Sequence, residues 1–328
     1  MESVIRQEYA SAKFRRIGQG FCGSVWAAEE GTMAVKREDG GPGRSLLNDY
    51  NMHKLVLETA SKASVCVPRW PHFVKNDDSW WWDMNLAKFP NGYTTCNVLC
   101  AERIPPLPRE VRDRLIDRYC PPASVATIKA NDADRDCLVR PYLGRRKIQN
   151  QARRGRNFFS LRNYPLHLNQ AEELDLPILS YVHSMAEILA MMHWTAKVDA
   201  NDVEFVLGGV QTQTETGRNE YTHSILGPHS LWVLDFDCCK PLTMDDAGIE
   251  QAAYAFLRND PYFPRPATSA QSSDSTLWIE FRTRYLECSQ NFVTGDDETC
   301  LSLPEKFIAR VADMHEQGKE RKTSGVIC

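Results

Sequence analysis

Residues 17–26 read IGQGFCGSVW, and residues 33–36 read MAVK. The first stretch sets Gly18, Gly20 and Gly23 in a G-x-G-x-x-G-x-V pattern. Missing Cβ atoms there let a strand–turn–strand backbone approach a phosphate. The second matches the V-A-I-K strand whose lysine, here Lys36, reaches phosphates in protein kinases. A lone glycine pattern is weak evidence, but the lysine strand behind it, with β-rich residues on both sides, makes it specific. The expectation is an α+β, protein-kinase-like fold of two lobes. Residues 1–105 form a small β-rich N-lobe carrying the glycine loop, and residues 106–328 a larger helical C-lobe.

Working outward from the loop, Phe14–Ala28 and Met33–Arg37 are short β-rich runs broken by glycines. Residues 45–60, SLLNDYNMHKLVLETA, carry apolar residues at helical spacing. In kinases the lysine pairs with a glutamate on this helix. Here the helix offers Asp49, which either fills that role or caps the helix and faces solvent. Further strands are expected at Ser79–Leu86 and Val98–Ile104. The IPPLP stretch that follows is a rigid hinge, since proline fixes φ and removes a donor. Beyond it the pattern is helical at Glu110–Tyr119 and Leu176–Met192. A strand pair at Glu204–Leu207 and Leu231–Asp235 flanks a polar hairpin. Helices return at Gly248–Arg258, Thr276–Glu287 and Pro304–Glu316. No internal repeat is visible.

A kinase catalytic loop runs H-R-D-x-x-x-x-N, with D-F-G on a later strand. This chain departs from it. Counting from Asp199, the metal-binding asparagine is replaced by Glu204, and Lys197-Val198 replace the H-R pair. Asp235-Phe236-Asp237 stands for D-F-G, a form also seen in aminoglycoside-type phosphotransferases. Asp199, Asp202 and Glu204 crowd three acids into six residues. Like charges so close raise at least one pKa unless a cation sits among them. A magnesium ion, a lysine or a cationic substrate is therefore expected there, the alternative being a solvated acidic turn.

The bulk properties narrow the classes. The net charge of −4 is no general magnet for polyanions. Locally, Arg145, Arg146, Lys147, Arg153, Arg154 and Arg156 fall together with no acid among them. They read either as a solvated loop or arginine-rich helix face, or as a phosphate-contacting stripe of an RNA-binding surface. The 11 cysteines form no C-x-x-C pair, and Cys96 with Cys100 lacks a histidine at finger spacing, which argues against structural zinc. Reduced, buried thiols are expected instead. Apolar runs are too short to span a bilayer. The charged N-terminus lacks a signal core, and Cys328, as last residue, cannot begin a prenylation box. A cytoplasmic protein is expected. Trp81, Trp82, Phe89 and Trp194 read as core residues, with a substrate-pocket lining as the alternative.

Taken whole, the chain resembles a fungal family with recurring blocks that stand here as LLNDYNMH, CAERIPPLP, FFSLRNYPL, HWTAKVDANDVEFVLGG, VLDFDCCK and FLRNDPYFPRP. These cover about residues 14–290. The family has been labelled a zinc-finger protein, and some members resemble arginine-containing cyclodipeptide synthases of secondary metabolism. The resemblance implies an enzyme that joins arginine from Arg-tRNA to a second aminoacyl-tRNA's amino acid as a diketopiperazine. It implies Asp199 and Glu204 handling protons, and Asp202 or Glu204 holding the arginine side chain. Lys36, Asp49, Asp235 and the glycine loop would hold the terminal nucleotide, and the 145–156 stripe the tRNA. No cofactor is required, and the partners are aminoacyl-tRNAs and downstream biosynthetic enzymes, not DNA or membrane. The competing expectation is a small-molecule kinase, with Asp199 as base, Glu204 and Asp235 holding Mg2+, and Lys36 the ATP phosphates. A pseudokinase-like binding protein is the third.

Overall fold

The structure, a computed structural model, describes residues 12–60, 63–148, 159–210, 220–266, 272–292 and 298–323. β1 (Phe14–Gln19), β2 (Ser24–Ala28), β3 (Met33–Arg37), β4 (His72–Val74) and β5 (Val98–Glu102) form one antiparallel sheet in the order β1-β2-β3-β5-β4. Its alternation is that of a half-buried sheet: Met33, Val35 and Arg37 turn inward along β3. The register sets Val25 opposite Lys36 and Lys36 opposite Leu99, so the lysine stands beneath the glycine ribbon.

Helix α1 (Leu46–Thr59) begins at Ser45, whose hydroxyl accepts from the Asn48 amide. It buries Leu46, Asp49, Met52, His53 and Val56, a stripe with helical spacing that carries Asp49 to the cleft. Ser79–Asn85, expected as strand, is instead helix α2. Asp78 caps it through the Trp81 amide, and Trp81 and Trp82 turn into the upper core with Phe89, Trp26 and Phe14. The tryptophans' bulk therefore serves packing, and none of Trp81, Trp82, Phe89 or Trp194 lines the cleft cavity.

The lower lobe carries a second sheet, of order β7-β6-β8-β10-β9, from β6 (Val139–Tyr142), β7 (Tyr164–His167), β8 (Glu204–Gly209), β9 (Tyr221–His223) and β10 (Gly227–Leu234). β6 and β7 pair in parallel. Around it lie α3 (Arg109–Tyr119), α4 (Val125–Lys129), α5 (Leu168–Glu173), α6 (Ile178–Trp194), α7 (Asp246–Arg258), α8 (Ser272–Phe292) and α9 (Glu298–Thr323). Most of α6 is buried, which makes it the axis of the lobe. A fully buried leucine, isoleucine or methionine there contributes roughly 1.5–3 kcal/mol of hydrophobic stabilisation.

The lobes are not cleanly cut at the hinge. Met52, Val56, Val65 and Val67 belong to the lower core. The Cys66 amide donates to Leu231 O at 2.8 Å, and the Val233 amide returns to Cys66 O at 3.0 Å. No helix among the described residues is long and apolar enough to cross a membrane.

Candidate functional site

The lobes enclose a cavity of about 210 Å³, roofed by Gly18, Gly20, Gly23 and Val25 and backed by Lys36. Gly23 is required sterically by its own surroundings. A Cβ there would lie 2.0 Å from the Arg37 carbonyl oxygen, whereas one on Gly20 would meet nothing within 4 Å. Lys36 Nζ donates to Asp49 Oδ2 and to Asp235 Oδ1, each at 2.6 Å. The Lys36–Asp49 ion pair expected from the helix is thus present. Burial pulls the Lys36 ammonium down, but Asp49 and Asp235 outweigh it and hold it well above the ordinary lysine value. Asp49 also accepts from the Phe236 amide at 3.1 Å, which locks the Asp-Phe-Asp turn to α1. His53 packs against the Phe236 ring and bonds Pro68 O.

The three crowded acids do not converge on one guest. Asp199 is buried and lies outside the cavity lining. Its carboxylate accepts from the Asn201 amide at 3.1 Å, the Lys240 amide at 2.9 Å and Gln251 Nε2 at 2.9 Å. Burial nevertheless raises its pKa against the pull of those donors. Asp202 is exposed and bonds Arg44. Only Glu204 lines the cavity, where Arg140 Nη2 donates to its Oε1 at 2.6 Å. The expected cation is therefore supplied twice by the protein itself, by Arg140 and by Arg44. Burial raises the Glu204 carboxyl above the ordinary range, and Arg140 pulls it down.

The backbone around these acids is strained. Ala200, Asp202 and Asp235 sit at φ 54°, 62° and 67°, left-handed conformations that cost a non-glycine residue about 1–3 kcal/mol each. Asn259, at the end of α7, holds the loop in that shape. Its Oδ1 accepts from the Asp202 amide at 2.7 Å, and its Nδ2 donates to Ala200 O at 2.8 Å.

Five acidic and four basic side chains line the cavity, so it is close to neutral. Arg140 was not foreseen from sequence. It sits in a four-residue strand beside Pro141, and its partner lies 64 residues away. Of the basic stripe, Arg146 is committed to Glu172 and Asp274, while Arg145 and Lys147 are exposed. Arg153, Arg154 and Arg156 lie outside the described residues.

Sheet lobe, hinge, helical lobe and lysine-bearing cleft together define a two-lobed, protein-kinase-like α+β fold. A family model described as a zinc finger protein matches residues 231–297, and no curated protein matches the chain. The matched stretch contains Cys238, Cys239 and Cys288 and no histidine. Those are too few ligands for a zinc site of its own built from four cysteines, or from two cysteines and two histidines. The adjacent cysteines also face different partners: Cys239 Sγ donates to Asn201 O at 3.4 Å, and Cys238 meets Arg44. Among the described residues, the group placed to share a metal ion is Asp202, Asp237 and Cys238, and Arg44 contacts all three.

Proposed function

We propose that the chain is an aminoacyl-tRNA-dependent cyclodipeptide synthase that joins arginine from Arg-tRNA to a second amino acid. The observation that carries this reading is the exchange of carboxylates. Asp199, the counterpart of the phosphotransfer base, is fastened to two amides and a glutamine outside the cavity, while Glu204 stands within it. An aminoacyl ester is already activated, so its chemistry needs a proton acceptor rather than a phosphoryl clamp.

In this reading the terminal adenosine of a charged tRNA lies under the glycine ribbon, near Lys36. Glu204 removes a proton from the α-ammonium of one aminoacyl ester. Once that proton has passed to solvent, the freed amine attacks the carbonyl of the other ester. Glu204 takes the second proton that the nitrogen sheds as the amide forms and hands it to the departing 3′-oxygen of that tRNA. The remaining α-ammonium loses a proton in the same way, and its amine attacks the remaining ester. The nitrogen's second proton leaves with the departing 3′-oxygen, closing the six-membered ring and releasing the second tRNA. A near-neutral cavity suits an amine better than a polyphosphate. Such an activity belongs in the cytoplasm, where charged tRNAs are.

Purified protein incubated with Arg-tRNA and a second aminoacyl-tRNA tests it, with mass spectrometry as readout. The expected result is an arginine-containing cyclic dipeptide, reduced about 100-fold or more in Glu204→Gln, since a general base contributes roughly 10²–10⁴ in rate. Absence of product, with ATP turnover abolished by Asp235→Ala, makes the chain a small-molecule kinase instead. Neither activity, with a nucleotide raising the Tm, makes it a binding protein.

A further inference from the structure

Arg44 ends the loop after β3, where the upper lobe reaches across the mouth of the cleft. The same loop holds the tip of the glycine ribbon. The Gly40 amide donates to Cys22 O at 3.0 Å, and the Gly41 amide to Phe21 O at 2.8 Å. A Cβ on Gly40 would lie 2.3 Å from the Phe21 carbonyl oxygen, so the contact demands glycine. The Arg44 guanidinium stands 5.4 Å from the centre of the Phe21 ring. It donates to Asp237 Oδ1 at 2.7 Å and Asp202 Oδ2 at 3.0 Å, and it contacts Cys238 Sγ.

The ligand atoms of Asp202, Asp237 and Cys238 lie within 4.8 Å of one another, close enough for a single divalent ion to bind them all. A guanidinium already fills that position. Its planar fork takes two carboxylates at once, and it keeps its charge at any physiological pH.

We infer that Arg44 is a specificity-determining residue: it occupies the place of a divalent cation and so excludes guests that enter as metal–polyphosphate complexes. Guests that need no metal are admitted. The cluster borders the cavity assigned to the synthase reaction without lining it, since Asp235 and Phe236 line the cavity next to Asp237 in the chain. The inference is tested without that reaction, so failure of one leaves the other standing.

The test is a Mn2+ titration followed by electron paramagnetic resonance, on wild type, Arg44→Ala and Arg44→Met. The methionine variant keeps an apolar stem against Phe21, so a folding defect in the alanine variant does not end the experiment. The expected result is Mn2+ binding at least tenfold tighter in both variants than in wild type, abolished when Asp237→Asn is added. Binding of Mg·ATP, measured by calorimetry, should tighten in parallel. Equal Mn2+ affinity in wild type and both variants overturns the inference, as does tightened binding that survives Asp237→Asn.

Discussion

Burial lifts the Glu204 carboxyl while Arg140, at 2.6 Å, draws it back. A base acts only when ionised, so product formation should rise with pH through this raised pKa. Removing the guanidinium leaves only the weaker pull of Lys36 against burial, and the loss of an opposite charge at that range moves a carboxyl by about 1–3 units. In Arg140→Met the ascending limb of kcat/KM should therefore shift to higher pH by about 1 unit or more, with Arg140→Lys in between. A limb that stays in place would remove Arg140 from any control of Glu204. His193 makes the opposite case, in which a titratable group bears on stability. It is fully enclosed, bonded to Tyr285 Oη at 2.9 Å and packed edge-on to Phe307, and burial pushes its pKa from 6.5 down to about 3. Between those values the unfolded chain binds a proton that the folded chain refuses. The contribution of His193 is thus complete above pH 6.5 and should fall as the pH drops below it, by about 1.4 kcal/mol per unit. Urea midpoints at pH 7 and pH 5 measure the loss, and His193→Gln should flatten the slope even where it lowers the absolute value.

Elements with strong local signals were readable in the sequence, and those set by distant partners were not. β3 carries its own alternation and α1 its own cap and stripe, so both lie close to where the pattern puts them. α2 deceived because three tryptophans in a row look β-prone, yet Asp78 at the N-cap was the local cue to a helix. β6 and β7 left almost no trace. Each has four residues with an internal proline, which argues against a strand, and they gain their ladder from distant partners, β7 by pairing in parallel with β6, and β6 by pairing with β7 and, at Val139, with β8. Arg140 was hidden with them. The basic stripe was visible as composition, but the sequence could not show that α5 and α8 claim one member of it. Glu172 of α5 and Asp274 of α8 both bond Arg146. Reversing that charge should lower stability by about 1 kcal/mol, as expected for a partly exposed network, and leave tRNA affinity unchanged. Arg145→Glu with Lys147→Glu should do the reverse: little change in Tm, weaker tRNA binding, and a slope of log K against log salt reduced by about 1–2. A filter-binding series in increasing salt separates the two, and equal slopes for the double variant and wild type would take these side chains off the RNA surface.

Across the whole molecule, cations of the upper lobe meet acids of the lower one. Lys36 bonds Asp235 at 2.6 Å, Arg44 bonds Asp237 at 2.7 Å, and Arg15 and Arg103 bond Asp136 at 2.8 and 2.9 Å. Arg135 with Glu29 runs the other way. These contacts ring the cleft, whereas the join behind it is made of backbone bonds and apolar packing around Cys66, Val206 and Trp232. Salt acts on the two differently. Raising it from 0.1 to 1 M shortens the screening length from about 10 Å to about 3 Å, which weakens ion pairs, most where water reaches them. Apolar contacts are not weakened in this way. High salt should therefore loosen the front of the cleft while the back stays joined, so that the lobes hinge rather than part. Amide hydrogen exchange at Gly18–Ser24 should quicken several-fold between 0.1 and 1 M NaCl, with Cys66 and Val233 unchanged. Arg44→Ala at low salt should reproduce much of the effect at the ribbon. Equal acceleration at both places would mean that the ion pairs hold the whole interface. No acceleration at either would mean that the ribbon's ties to Gly40 and Gly41 suffice to hold it.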